Sequence, residues 1–155
     1  MWANNMLFSY HENGKLKDLK FVDFQLVKYS SPAVDLHYFI ATSPANEVRD
    51  KIDQLLDTYY SQLLSTLAAL KYPLSDVPTM KEFKCDFEAR AFYGVMASAV
   101  VTPLVKASQR KDATFDDLAH NEGPGSFREH CYTNETYKNV LKHTLPFYDS
   151  LGVLD

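Results

Sequence analysis

Residues 5–23 read NMLFSYHENGKLKDLKFVD, two short apolar runs on either side of an Asn-Gly pair. The runs, residues 6–10 and 16–23, are rich in the aromatic and aliphatic residues that favour β-strands. Asn13 and Gly14 between them tolerate the positive φ angles that tight turns require. The stretch therefore predicts a β-hairpin close to the start of the chain.

Downstream of the hairpin, apolar residues recur at the three- and four-residue spacing of amphipathic helices. Ser31-Pro32 predicts the start of a short helix that ends near Thr42. Ser43-Pro44 predicts the start of a long helix, which Pro73 terminates. We therefore expect a mainly helical body after residue 31.

The second half of the chain predicts further helices. Thr79 and Glu82 have the spacing of a capping box, which predicts a third helix running to about residue 104. Residues 106–133 read as a long connection with at most a short helix at 115–120, and a last helix is expected from about residue 134. The fold class is thus α+β and predominantly α, with a hairpin followed by four or five helices.

Composition limits the classes of function. The 155 residues carry a net charge of −4, which argues against a protein that binds nucleic acid through its phosphates. The longest apolar run, residues 91–105, is shorter than the ~20 residues that span a bilayer, so no membrane span is expected. Cys85 and Cys131 have no CxxC spacing, which fits a reducing, cytoplasmic location.

Two polar residues lie at the open end of the predicted hairpin. A turn at Gly14 pairs Asn5 with Asp23 to within one position, and opposite residues have Cβ atoms ~4.5–5.5 Å apart. An amide oxygen and a carboxylate at that distance suit Mg²⁺, which prefers oxygen ligands and keeps water or phosphates in its other positions. The alternative is that Asn5 merely begins a strand and Asp23 merely ends one.

Three blocks in the first 40 residues carry a family resemblance. They read WANNMLFSY at residues 2–10, FVDFQ at 21–25 and SPAVDLHYF at 31–39. In this order they resemble the pattern HGDxWxNN, vDFQ and SPAxDLxYF of the ecdysteroid kinase-like (CHK kinase-like) family. That resemblance implies a fold of the choline kinase and aminoglycoside phosphotransferase type, with residues 1–155 forming its helical C-lobe.

The resemblance also implies roles for single residues. Asn5 is similar to the catalytic-loop asparagine that holds Mg²⁺, and Asp23 to the aspartate that links Mg²⁺ to the phosphates of ATP. Asp35 resembles an aspartate that braces the catalytic loop, although an acidic residue in a first helical turn is equally explained by the helix dipole. Trp2 is expected to pack beneath the loop as a structural residue.

One part of the family pattern is not matched. The catalytic aspartate of HGDxW would fall at position 0, just before Met1, and no N-lobe precedes it. We therefore assign no catalytic residue, and we expect a truncated form that is inactive alone because the base and the phosphate-binding lysine are missing. Apolar faces of the hairpin should then be unusually exposed.

The resemblance implies ATP and Mg²⁺ as cofactors and a small hydroxyl-bearing molecule, such as an ecdysteroid, as acceptor. The alternative is a non-catalytic kinase-like module that binds or regulates. Aromatic residues of the helices are typical of a core, but some could line the acceptor site. They are Tyr38, Phe39, Tyr59, Tyr60, Phe83, Phe87, Phe92 and Tyr93.

Overall fold

The structure, a computed structural model, describes residues 2–155. Strands β1 (Met6–Tyr10) and β2 (Leu16–Phe21) form an antiparallel two-stranded sheet. Gly14 adopts a φ of 77° in the turn, where the amide of His11 donates to the carbonyl of Lys15 at 2.9 Å. The predicted hairpin is confirmed, and β2 ends two residues before Asp23.

The hairpin register is shifted by a bulge. Met6 lies opposite Phe21, and an irregularity between Ser9 and Tyr10 offsets the pairing near the turn. Beyond the strands, the amide of Val22 donates to the carbonyl of Asn5 at 3.0 Å. Asn5 therefore faces Val22, within the one-position margin of the predicted pairing with Asp23.

Helices make up most of the remaining described chain, as predicted for an α+β fold that is mainly α. They are α1 (Pro32–Thr42), α2 (Asn46–Arg49), α3 (Ile52–Ala69), α4 (Met80–Ala89), α5 (Ala91–Met96), α6 (Thr102–Lys106), α7 (Phe115–His120), α8 (Phe127–Thr133) and α9 (Glu135–Ser150). A π-helical segment, Ala97–Val101, joins α5 to α6.

Capping residues account for two of the helix starts that the sequence predicted, those of α1 and α4. Ser31 accepts a hydrogen bond from the amide of Ala33 at 3.1 Å, and Pro32 occupies the first turn of α1. Thr79 and Glu82 form the predicted capping box at α4. These starts are local events, because each cap satisfies backbone N–H groups that the first helical turn leaves without partners.

Two predicted long helices are each divided in the structure. The helix expected after Ser43-Pro44 is interrupted at Asp50 and Lys51, between α2 and α3. The one expected from residue 80 to 104 breaks at Arg90, which has φ −108° and ψ 10°, and widens into the π-helical segment before Pro103. Proline cannot donate to the carbonyl four residues earlier, and the wider turn accommodates it.

A helix within the predicted 106–133 connection was missed. Helix α8 begins after Ser126, whose hydroxyl accepts from the amide of Glu129 at 3.1 Å. This is the same Ser/Thr-x-x-Glu spacing that revealed α4. The short helix expected at 115–120 is present as α7.

The main hydrophobic cluster lies where α1, α3 and α4 meet. Its buried members are Ala33, Ile40, Ile52, Leu56, Phe83 and Phe87. Tyr59 stacks on Phe83 with ring centroids 5.6 Å apart. Burial of these apolar and aromatic side chains is the main contribution that holds the three helices together.

Buried polar groups tie α1 to the elements around it. His37 Nε2 lies 2.8 Å from the carbonyl oxygen of Phe87, and Nδ1 lies 3.2 Å from the hydroxyl of Tyr148. Because a carbonyl only accepts, Nε2 carries the proton and Nδ1 accepts from Tyr148. Burial lowers the pKa of His37, and hydrogen bonding to Phe87 opposes that effect.

Arg49 stabilises the other end of α1. Its guanidinium donates to the carbonyl of Ile40 at 2.9 Å and to that of Ala41 at 3.3 Å. The hydroxyl of Thr102 also donates to Ala41, at 3.1 Å. A cation at the carboxyl end of a helix satisfies free carbonyls and is favoured by the helix dipole.

The hairpin has little part in this core. The side chains of Leu7, Phe8, Phe21 and Phe24 are about half exposed, and Leu26 is 81% exposed. This confirms the expected exposure of apolar side chains near the start of the chain. Across residues 2–155, every helix falls short of the length and apolar character that a bilayer crossing requires.

Candidate functional site

Asn5 is held in a short 3-10 turn, Ala3–Asn5, directly before β1. The indole N–H of Trp2 donates to the side-chain oxygen of Asn5 at 2.7 Å. Because an indole only donates, this bond identifies the oxygen of the amide. An amide oxygen has two lone pairs, so Asn5 retains one for a further ligand.

Asp23 follows β2 and has a backbone φ of 65°. Few residues other than glycine adopt this left-handed conformation, and aspartate tolerates it better than most. Such strained positions are concentrated at functional sites, where surrounding structure maintains them. The backbone geometry thus distinguishes Asp23 from an ordinary residue at the end of a strand.

Two side-chain contacts tie the ends of α1 to other parts of the chain. The amide of Ala3 donates to the hydroxyl of Ser43, the residue after α1, at 2.9 Å. At the other end of α1, the hydroxyl of Ser31 donates to Asp86 of α4, which also pairs with Arg90. The sequence did not predict the tie from Asp86 to Ser31, although Asp86 and Arg90 have the i,i+4 spacing of a helical ion pair.

Asn5 and Asp23 line a single cavity of about 650 Å³. Its polar lining includes both residues together with Asp35, Lys28, Ser30 and Ser31. Its apolar and aromatic lining consists of Trp2, Phe24, Leu26, Val27, Pro32, Val34, Tyr38 and Tyr93. The structure therefore brings together the two predicted metal ligands and places them beside a largely apolar surface.

The other two predicted residues lie beside the same cavity. Trp2 is half-buried and lines the wall as well as bonding Asn5. Asp35 is an exposed residue in the first turn of α1 and lines the cavity too. Its role as a brace for the loop remains a prediction.

The oxygen atoms at the polar end fit a hard cation. An amide oxygen and a carboxylate are ligands that Mg²⁺ prefers, and the ion retains waters or phosphate oxygens at its remaining positions. Within residues 2–155, His, Cys, Asp and Glu side chains form no cluster of three or more suited to a metal. Asn5 and Asp23 would thus supply two protein ligands, and water or phosphate oxygens would fill the other coordination positions.

The aromatic cluster of the helices is divided between core and cavity. Phe83 and Phe87 are buried, whereas Tyr38 is half-buried and Tyr93 is 42% exposed. The rings of Tyr38 and Tyr93 lie 6.5 Å apart. Partial burial and the neighbouring phenol of Tyr93 both raise the pKa of Tyr38, so its hydroxyl stays protonated at neutral pH.

A family model matches part of the chain. The model of the ecdysteroid kinase-like family matches residues 1–72, which include Asn5, Asp23 and Asp35. No curated protein and no solved structure matches the chain. Residues 1–72 are therefore similar to the ecdysteroid kinase-like family, in agreement with the resemblance that the three sequence motifs carry.

Proposed function

We propose that residues 1–155 are the C-lobe portion of a small-molecule kinase. The complete protein would transfer the γ-phosphate of ATP to a hydroxyl of a small lipophilic acceptor, such as an ecdysteroid. The observation that carries this proposal is the shared cavity, in which Asn5 and Asp23 supply oxygen ligands next to an apolar lining. The kinase-like family match over residues 1–72 supports it.

Asn5 and Asp23 are the residues that would hold Mg²⁺. When bound, the ion would neutralise charge on the phosphates of ATP. The indole of Trp2 orients the amide oxygen of Asn5 by its 2.7 Å hydrogen bond. Val22 is hydrogen-bonded to Asn5, and the left-handed backbone of Asp23 changes the direction of the chain directly after it.

We expect residues 1–155 on their own to bind Mg·ATP weakly and not to turn over. The family pattern has its catalytic aspartate two positions before Trp2, and these 155 residues include no such base. Without it, no positioned group accepts the proton of the acceptor hydroxyl. Metal binding and proton transfer are thus separate roles, and Asn5 and Asp23 would perform only the first.

The metal assignment can be tested with Mn²⁺ as a paramagnetic probe for Mg²⁺. Free Mn²⁺ would be measured by electron paramagnetic resonance during titration of the 155-residue chain, with and without ATP. We expect Asp23→Asn to weaken Mn²⁺ binding at least about tenfold, since it removes the one charged ligand. Asp18→Asn is the matched control, because Asp18 is exposed on β2 and does not line the cavity.

Equal affinities of wild type and Asp23→Asn would refute the assignment. Loss of affinity in Asp18→Asn to the same extent would show that the hairpin's overall charge, rather than a site, attracts the ion. A chain that binds an ecdysteroid but neither Mn²⁺ nor ATP would favour the alternative, a non-catalytic kinase-like binding module.

A further inference from the structure

We propose that Tyr38 and Tyr93 form the surface that recognises the acceptor, by packing against an uncharged apolar ring system. This inference rests on the proposed function, because it assigns the acceptor to the cavity that holds Asn5 and Asp23. It adds two specificity-determining residues that lie outside the metal-binding pair.

The two tyrosines come from different helices and meet at the cavity. Tyr38 lies on α1 and Tyr93 on α5, and their rings are tilted by 36° with centroids 6.5 Å apart. Both line the cavity that includes Asn5 and Asp23. Two rings tilted by 36° do not share a plane, so together they suit an apolar ring system that is bent rather than flat.

Buried contacts behind the pair fix its geometry. His37, next to Tyr38, lies 3.2 Å from the hydroxyl of Tyr148. Gly94, next to Tyr93, packs so closely on Tyr148 that an added Cβ would lie 2.0 Å from that hydroxyl. The same buried Tyr148 thus sets the positions of α1 and α5, and a rigid base of this kind preorganises the surface above it.

Charge and polarity around the cavity indicate the class of ligand. Asp23 and Asp35 line it together with the single ammonium of Lys28, so an anionic acceptor would be repelled. Leu26, Val27 and other apolar side chains offer no hydrogen-bonding partners along the rest of the wall. An uncharged, hydroxyl-bearing ring system matches this division of the cavity into a polar end and an apolar wall.

The inference can be tested by the fluorescence of Trp2. Trp2 is the only tryptophan of the chain and lines the same cavity, so its emission reports on a ligand bound there. The 155-residue chain would be titrated with ecdysone in EDTA, without nucleotide. We expect Tyr93→Ala and Tyr38→Ala each to raise the dissociation constant about tenfold, and Tyr38→Phe, which keeps the ring, less than about twofold.

Phe92→Ala is the matched control. Phe92 neighbours Tyr93 on α5 and is 61% exposed, but it does not line the cavity, so its removal should leave the affinity unchanged. Circular dichroism would verify that every variant folds. The inference is overturned if wild type binds ecdysone no more tightly than Tyr93→Ala, or if Phe92→Ala weakens binding equally.

The EDTA condition separates this result from the metal test. Failure of Mn²⁺ binding with intact, tyrosine-dependent ecdysone binding would remove the kinase proposal and keep the recognition surface. If instead Mn²⁺ binds and ecdysone binding does not depend on the tyrosines, the metal-binding role of Asn5 and Asp23 stands and the role of Tyr38 and Tyr93 in acceptor binding is refuted.

Discussion

The first thirty residues and the helical body are built on different physical principles. The hairpin is held mainly by its own backbone hydrogen bonds, and its apolar side chains are largely exposed. The body packs α1, α3 and α4 around buried aromatic and aliphatic side chains, and buried His37 finds its hydrogen-bond partners within it. The candidate site lies between the two, with the proposed oxygen ligands on the hairpin segment and the tyrosines on the body.

This division teaches that the two halves of the site differ in stability. Asn5 and Asp23 depend on a two-stranded sheet, which is marginal without a core of its own. Tyr38 and Tyr93 are positioned by helices whose contacts are buried. Local opening of the hairpin should therefore disturb metal binding before it disturbs the apolar wall.

The largest effect expected from this comparison is a difference between two Phe→Ala substitutions. Phe87 is 2% exposed and stacks on His37 with ring centroids 3.9 Å apart. Its loss should lower the free energy of unfolding by about 3–5 kcal/mol, because a cavity forms in the core. Phe8→Ala in β1 should cost less than about 1 kcal/mol, since Phe8 is 47% exposed.

Urea denaturation followed by circular dichroism would measure both values. Similar losses for the two variants would contradict the division, because they would place the hairpin within the cooperative core.

A smaller effect is expected from acidification. Burial lowers the pKa of His37 in the folded state, whereas in the unfolded chain it is about 6.5. Between these two pKa values the unfolded state binds more protons than the folded state. The contribution of His37 to the free energy of unfolding should therefore be fully present above about pH 6.5 and should decrease as the pH drops below it. The limiting slope for one proton is about 1.4 kcal/mol per pH unit.

His37→Gln should be less stable at pH 8 and should lose that part of the pH dependence. His11→Gln, in the exposed hairpin turn, is the control and should retain it. The measurement is the free energy of unfolding between pH 5 and 8. A wild-type profile parallel to that of His37→Gln would show that His37 does not couple folding to pH.

The smallest effect should be confined to the hairpin. Gly14 has a φ of 77° and open space where a Cβ would lie, so Gly14→Ala adds backbone strain of about 1 kcal/mol and no clash. Amide hydrogen exchange should accelerate in β1 and β2. Exchange in α1 should stay unchanged, and acceleration there would show that the hairpin and the body unfold together.

Local signals explain why much of the fold was predictable. The Asn-Gly turn, the Ser31-Pro32 start and the capping box at Thr79 each depend on residues within a few positions. The break at Arg90 and the π-helical segment before Pro103 were not predicted. Thr102 there donates to Ala41, 61 positions earlier, so the conformation depends on tertiary contacts that local spacing does not encode.

The site divides in the same way. Turn geometry was enough to predict that Asn5 lies near Asp23, because a hairpin register follows from its turn. The meeting of Tyr38 and Tyr93 depends on how closely α5 approaches Tyr148, which Gly94 permits. Spacing in the sequence gives no measure of that approach, so these tyrosines could not be distinguished from core residues.

The contacts of Ala3 and Ser31 with the two ends of α1 make the hairpin segment a closed loop. Eleven helical residues separate these anchor points by roughly 16 Å. Loop-closure entropy grows only with the logarithm of length, about 0.6 kcal/mol for each doubling. An epitope or a fluorophore-bearing peptide can therefore be inserted at the turn of Asn13 and Gly14 at a small cost in free energy. The contacts of Ala3 and Ser31, and the cavity between them, should remain unchanged.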